Sequence, residues 1–105
     1  MDLLAENRAV LTQIVSSGGD LTASRKVDFE HVFPDDQTAA RFVQLAQSAG
    51  YEAEVWHTDD GEWNATARAH LIPTAQGITD IEIALDQIAN TVGGKADGWG
   101  FMRPE

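Results

Sequence analysis

The sequence contains no cysteine, carries only 7 lysines and arginines against 17 aspartates and glutamates, and has no long apolar run. Without cysteine there is no disulfide framework, no thiolate zinc site and no thiol nucleophile. Without an apolar stretch of about 18 residues there is no transmembrane helix. The first residues include Asp2 and Glu6 where a secretory signal would carry positive charge, so a cytoplasmic protein is expected. The shortage of bases leaves a formal net charge of −10. Such a balance repels phosphate backbones and anionic lipid and attracts basic surfaces. A basic protein partner is therefore expected, and direct nucleic-acid or membrane binding is not. What is present fits one domain over residues 1–105, with 43% hydrophobic residues and no repeat, low-complexity segment or linker. A chain of this length buries roughly 65% of its unfolded surface, enough for one core but not for a core and a separate catalytic module.

Periodicity divides the chain into seven elements. From Asp2 to Ser17, Leu4, Leu11, Ile14 and Val15 fall on one helical stripe that Gly18-Gly19 ends. Residues 25–33 alternate, with Val27, Phe29, His31 and Phe33 on one side and Lys26, Asp28 and Glu30 on the other, as a half-buried strand requires. After Pro34 and Asp35-Asp36, the stripe Ala39, Phe42, Val43 and Ala46 predicts a second helix, closed at Gly50. Residues 51–58 and 62–72 alternate around Asp59-Asp60-Gly61 and predict a hairpin. A two-residue turn would mix Glu52, Glu54 and Trp56 with the alanines of the next strand. A three-residue loop, with Asp59 and Asp60 in a type I turn and Gly61 at positive φ, pairs 58 with 62 and makes both faces consistent. Ile78, Ile81, Ala84, Leu85, Ile88 and Val92 predict a third helix, and 96–102 a last strand. A helix followed by βαββαβ favours an α+β, ferredoxin-like sandwich: a four-stranded antiparallel sheet with helices on one face and an additional N-terminal helix.

In this register Asp28, Glu30, Glu52, Glu54, Trp56, Asn64, Thr66, Arg68 and His70 share the face away from the helices. An indole among acids on a rigid sheet is suited to anchoring a partner that acids steer into place. Asp28, Glu30, Glu52, Glu54, Trp56 and Arg68 are accordingly candidate partner-binding residues. Enzymatic chemistry finds less support. His57 and His31 belong to the covered face and His70 to the open one, so the three do not share a metal. Glu52 and Glu54 stand about 7 Å apart on one strand, yet an open face lacks the apolar enclosure that tunes a catalytic carboxyl. Ser16, Ser17, Ser24 and Ser48 lie in helix ends or connections rather than a nucleophile elbow. Gly18-Gly19 and Gly93-Gly94 follow helices, where they cap, rather than open them as a phosphate loop does. An RNA-recognition sheet stacks bases on several aromatics beside basic residues, whereas this one offers Trp56 among acids. No catalytic residue, metal or cofactor is expected.

The segment Gly93-Gly94-Lys95-Ala96-Asp97-Gly98-Trp99-Gly100, the preceding Pro73-Thr74 with its Ile/Leu helix, the Gly50-Tyr51 junction and the Phe29-Glu30-His31 strand resemble the RraB family, regulators of ribonuclease activity B. The resemblance covers most of the chain, and Asp97-Gly98-Trp99-Gly100 is its most specific element. It implies a compact α+β fold and a non-catalytic regulator that binds and inhibits ribonuclease E or a similar basic RNA-processing partner. The best-known member also carries a long acidic C-terminal tail, which residues 1–105 do not include. Asp97 and Trp99 join the candidate partner-binding residues. For Trp99 two readings stand: it fills the edge of the core, or it anchors a partner. The competing functional expectation is a self-associating module whose sheet face around Trp56 is buried in a homodimer.

Overall fold

The computed structural model describes residues 2–19, 21–58 and 61–101. Its elements in chain order are α1 (Leu3–Ser16), β1 (Arg25–Phe33), α2 (Asp36–Ser48), β2 (Glu52–His57), β3 (Trp63–Leu71), α3 (Ala75–Thr91) and β4 (Lys95–Phe101). Each helix begins at a side chain that accepts an otherwise unpaired backbone N–H. Asp2 accepts from Leu4 at 3.1 Å, Asp35 from Thr38 at 2.8 Å, and Thr74 from Gly77 at 3.0 Å. Thr38 also donates its hydroxyl to Asp35, and these hydrogen bonds hold the Asp35 carboxyl below its ordinary pKa. At the end of α3 the two glycines have different reasons. Gly93 turns the chain at φ +86°, and a Cβ on Gly94 would collide with the Phe33 ring.

The sheet runs β2-β3-β1-β4 and every neighbouring pair is antiparallel. This is the α+β, four-stranded arrangement expected, and its strand order is consistent with a ferredoxin-like sandwich. The hairpin has the predicted register: Glu52 faces Arg68, Glu54 faces Thr66 and Trp56 faces Asn64. The Thr58 N–H donates to the Glu62 carbonyl at 3.0 Å, and Gly61 has φ +89°. The Asp59-Asp60 part of the turn lies outside the described residues, as does Met102 of the predicted last strand.

Helices α2 and α3 cover one face, α2 against β1, β2 and β3 and α3 against β4. Between them lie Val27, Phe29, Phe33, Phe42, Ile78 and Leu85, all buried. Ala65 and Ala67 on β3 are fully buried too and leave room for the larger side chains. Burying each large apolar group contributes about 1.5–3 kcal/mol. His31 belongs to this core: it is 1% exposed, its ring lies 4.6 Å from that of Phe42, and Nδ1 is 3.1 Å from the Phe29 carbonyl. Burial holds its pKa below 6.5, against weaker opposing effects from the Phe29 carbonyl and the Asp86 and Asp97 charges.

The first helix departs from expectation in one respect. It packs on α3, through a narrow stripe of Leu4, Asn7, Leu11 and Ile14 at 3-4-3 spacing. A single helical neighbour covers no wider stripe, so Val15, expected inside, is 53% exposed.

Candidate functional site

The open sheet face carries the carboxylates Asp28, Glu30, Glu52 and Glu54, and the register adds the cations Lys26, Arg68 and Lys95 to it. Strand pairing sets Arg68 opposite both Asp28 and Glu52. Its guanidinium grips Asp28 through Nε and again through a terminal nitrogen at 3.4 Å, and reaches Glu54 at 3.9 Å. The Asp28 hydrogen bond leads the effects that raise the Arg68 pKa above its ordinary value, so the cation is permanent. Lys26 meets Glu52 at 3.9 Å. The fourth carboxylate, Glu30, accepts from the Thr66 hydroxyl at 2.7 Å, and Thr66 in turn accepts from the Trp56 indole N–H at 2.9 Å. Asn64 and Thr66 are therefore buried even on this outer face, while Trp56 remains 41% exposed. Each face acid already has a partner within the molecule.

Six of the predicted candidates, Asp28, Glu30, Glu52, Glu54, Trp56 and Arg68, share this face. The other two stand elsewhere. The β1/β4 register shifts between Glu30 and His31, where Gly98 adopts φ +112°. Beyond that bulge Trp99 pairs with Phe29 and takes the helix-covered side, half-buried, its ring 5.6 Å from Phe101. Its indole N–H donates to the Asn7 side-chain oxygen at 2.9 Å. Of the two readings of Trp99, the geometry matches the one that fills the edge of the core. Asp97 is exposed beside the bulge. His57 stacks against Trp63 at 4.4 Å, and among the described residues no three metal-ligating side chains converge.

A second charged region lies where α1, α3 and β4 meet. Asn7 is its pivot: besides accepting from Trp99, it donates to the Thr79 hydroxyl at 2.9 Å and to Glu82 at 2.6 Å. This links three elements through one buried amide. Burial pushes the Glu82 pKa up, the Asn7 hydrogen bond opposes this, and the Glu6 and Asp86 charges push it further up. Among the described residues no ion pair joins Glu6, Glu82, Asp86 or Asp97 to a cation. Beside them is a shallow groove of about 340 Å³ lined by Leu3, Glu82, Ile83, Asp86, Gln87 and Ala96, with Ile83 45% exposed.

Asn7, Glu82, Ile83 and Asp86 were absent from the candidates read off the sequence. Two of them had a signal: Asn7 interrupts an apolar 3-4-3 stripe, and Glu82 sits between Ile78 and Leu85 at helical spacing. A polar residue inside such a stripe announces a buried hydrogen bond.

A family model described as regulator of ribonuclease activity B matches residues 4–101, from the first turn of α1 to the end of β4. The chain belongs to the RraB family. No curated protein matches the sequence. The RraB match spans both charged regions and includes the Asp97-Gly98-Trp99-Gly100 segment that builds the β4 bulge. RraB proteins are regulators of ribonuclease activity, not enzymes. Among the described residues no helix is long and apolar enough to cross a membrane.

Proposed function

We propose that this chain is a non-catalytic, cytoplasmic RraB-like domain that binds and inhibits ribonuclease E or a similar basic RNA-processing protein by occupying surface that otherwise holds RNA. The observation that carries this reading is the family match over residues 4–101. The net charge of −10 supports it, because an acidic surface competes with RNA for arginine-rich segments and is repelled by RNA itself. The candidates read from the sequence for this contact are Asp28, Glu30, Glu52, Glu54, Trp56, Arg68, Asp97 and Trp99, of which Trp99 is tied to Asn7 and the sheet-face acids already have partners within the molecule. The test is binding of the purified protein to the basic region of ribonuclease E across a salt series with RNA as competitor. Micromolar or tighter binding that excludes RNA and weakens with salt is expected, and no binding at low salt rejects the reading.

One observation favours a second reading. The open sheet face has Trp56 exposed among residues of both signs, a self-complementary surface suited to a homodimer. Sedimentation separates the two, because a dimer doubles the 11.4 kDa monomer mass.

A further inference from the structure

We propose that the groove between α1, α3 and β4 is the docking site for a basic partner segment, whose apolar side chain seats on Leu3, Ile83 and Ala96 while flanking lysines or arginines meet Glu82 and Asp86. The inference rests on the reading of a basic ribonuclease partner and names the surface that meets it. Three observations point to this groove rather than to the sheet. The groove has an apolar floor, and Ile83 exposes 45% of its surface there. Glu82 and Asp86 lie in its wall with Glu6 close enough to act on Glu82, and no described cation pairs with any of them. Like charges held together at a half-buried apolar site repel one another, and an arriving cation removes that repulsion as it binds. On the sheet face a cation that meets Asp28, Glu52 or Glu54 competes with Arg68 or Lys26, and Glu30 is already hydrogen-bonded by Thr66.

Another apolar groove, lined by Leu11, Val15, Leu21 and Ala75, has Arg8 at its wall and no acid. It lacks the charge that would select a basic segment. The α1–α3–β4 groove combines apolar floor and acidic wall, which is the pairing a lysine- or arginine-rich segment with one apolar residue requires.

The test uses the whole chain, labelled with ¹⁵N, and two probes: a synthetic amphipathic lysine/leucine peptide and an all-lysine peptide of equal length. Backbone shifts on adding the lysine/leucine peptide are expected to centre on Leu3, Ile83, Gln87 and Ala96, with the all-lysine peptide at least tenfold weaker. The double variant Ile83→Ser/Asp86→Asn is expected to lose at least tenfold in affinity, and Glu52→Gln/Glu54→Gln less than twofold, with circular dichroism melts verifying that both fold. Shifts centred on the sheet face, or equal losses in the two variants, overturn the proposal. The same variants are then titrated with the basic region of ribonuclease E. If wild type binds it and the groove variant binds equally well, the groove is wrong and the ribonuclease reading stands. If wild type ignores it but the lysine/leucine peptide still maps to the groove, the ribonuclease reading fails and the groove stands.

Discussion

The open sheet face and the α1–α3–β4 edge each carry four carboxylates, yet they differ in what surrounds them. On the sheet, strand register places Arg68 and Lys26 among the acids and Thr66 beside Glu30, so each carboxylate is answered from another strand, Glu52 by Lys26 across β3. At the helix edge, Glu6, Glu82, Asp86 and Asp97 have no described cation, and one amide, Asn7, carries the polar linkage. A count of acids makes the two surfaces equal, while ion pairs with Arg68 and Lys26 offset half of the charge on one and leave the other with no described cation of its own. Attraction for a partner follows charge that remains uncompensated in the fold.

The largest effect expected from dismantling either region comes from Trp99→Ala, which removes a half-buried indole and the donor to Asn7. A loss of about 3 kcal/mol is expected, read as a lower urea midpoint, and a change below 1 kcal/mol would show that the helix edge is not held by this contact. Next is Arg68→Gln, which frees Asp28 and Glu54. It should cost about 1–2 kcal/mol and should also erase the comparison itself, giving the sheet face affinity for a lysine-rich peptide that it lacks in wild type. Peptide anisotropy at low salt measures this, and unchanged affinity would mean that compensation by Arg68 is not what silences the face. Thr66→Val removes the hydroxyl between Trp56 and Glu30 and should cost about 1 kcal/mol, with the Trp56 indole N–H resonance moving toward its solvent-exposed position.

The smallest effect has the opposite sign. Glu82→Gln keeps an acceptor for Asn7 and removes a partly buried charge, so a gain of about 0.5 kcal/mol is expected at pH 7 and low salt. Because the folded-state pKa of Glu82 is raised above 4.5, its ionisation costs stability at neutral pH, and that cost disappears as pH falls through the raised value. The gap between Glu82→Gln and wild type should therefore close on acidification. His31 acts in the other direction: its folded-state pKa is lowered below 6.5, so stability present above 6.5 is lost as pH falls toward the lowered value. Urea midpoints at pH 7.5, 6.0 and 5.0 for both proteins separate the two contributions, and a gap that widens with acid would contradict the assignment.

The strands were legible in the sequence because a single register reconciled both of their faces. Pairing 59 with 62 through a two-residue turn would have put Glu52 opposite Ala69, and that conflict specified the pairing of Thr58 with Glu62. The same reading identified His31 as a core residue and six members of one surface. It left the contacts among their charges open, because alternation reports which face a residue occupies and says nothing of whether Arg68 lies within reach of Asp28. The bulge at Gly98 was also hidden, since an extra residue in an edge strand leaves no periodic trace, and with it the side that Trp99 takes. The helix edge was invisible for a stronger reason: its residues come from positions 3–7, 79–87 and 96–99, and only tertiary packing brings them together.

The contact between Asn7 and Trp99 spans 92 residues, and β4 lies along the edge of β1 that β3 leaves open. During synthesis α1, α2, β2 and β3 leave the ribosome before β4 does. Until residues 95–101 emerge, β1 has one unfilled edge, and α1 lacks the indole that holds its amide in place. The nascent chain therefore passes through a stage in which one edge of β1 is open and the Asn7 amide lacks its indole donor, and both are completed by the same seven-residue strand. Translation of that strand closes the remaining edge of β1, so a pause just before Lys95 would prolong an interval in which that edge is open to misassociation.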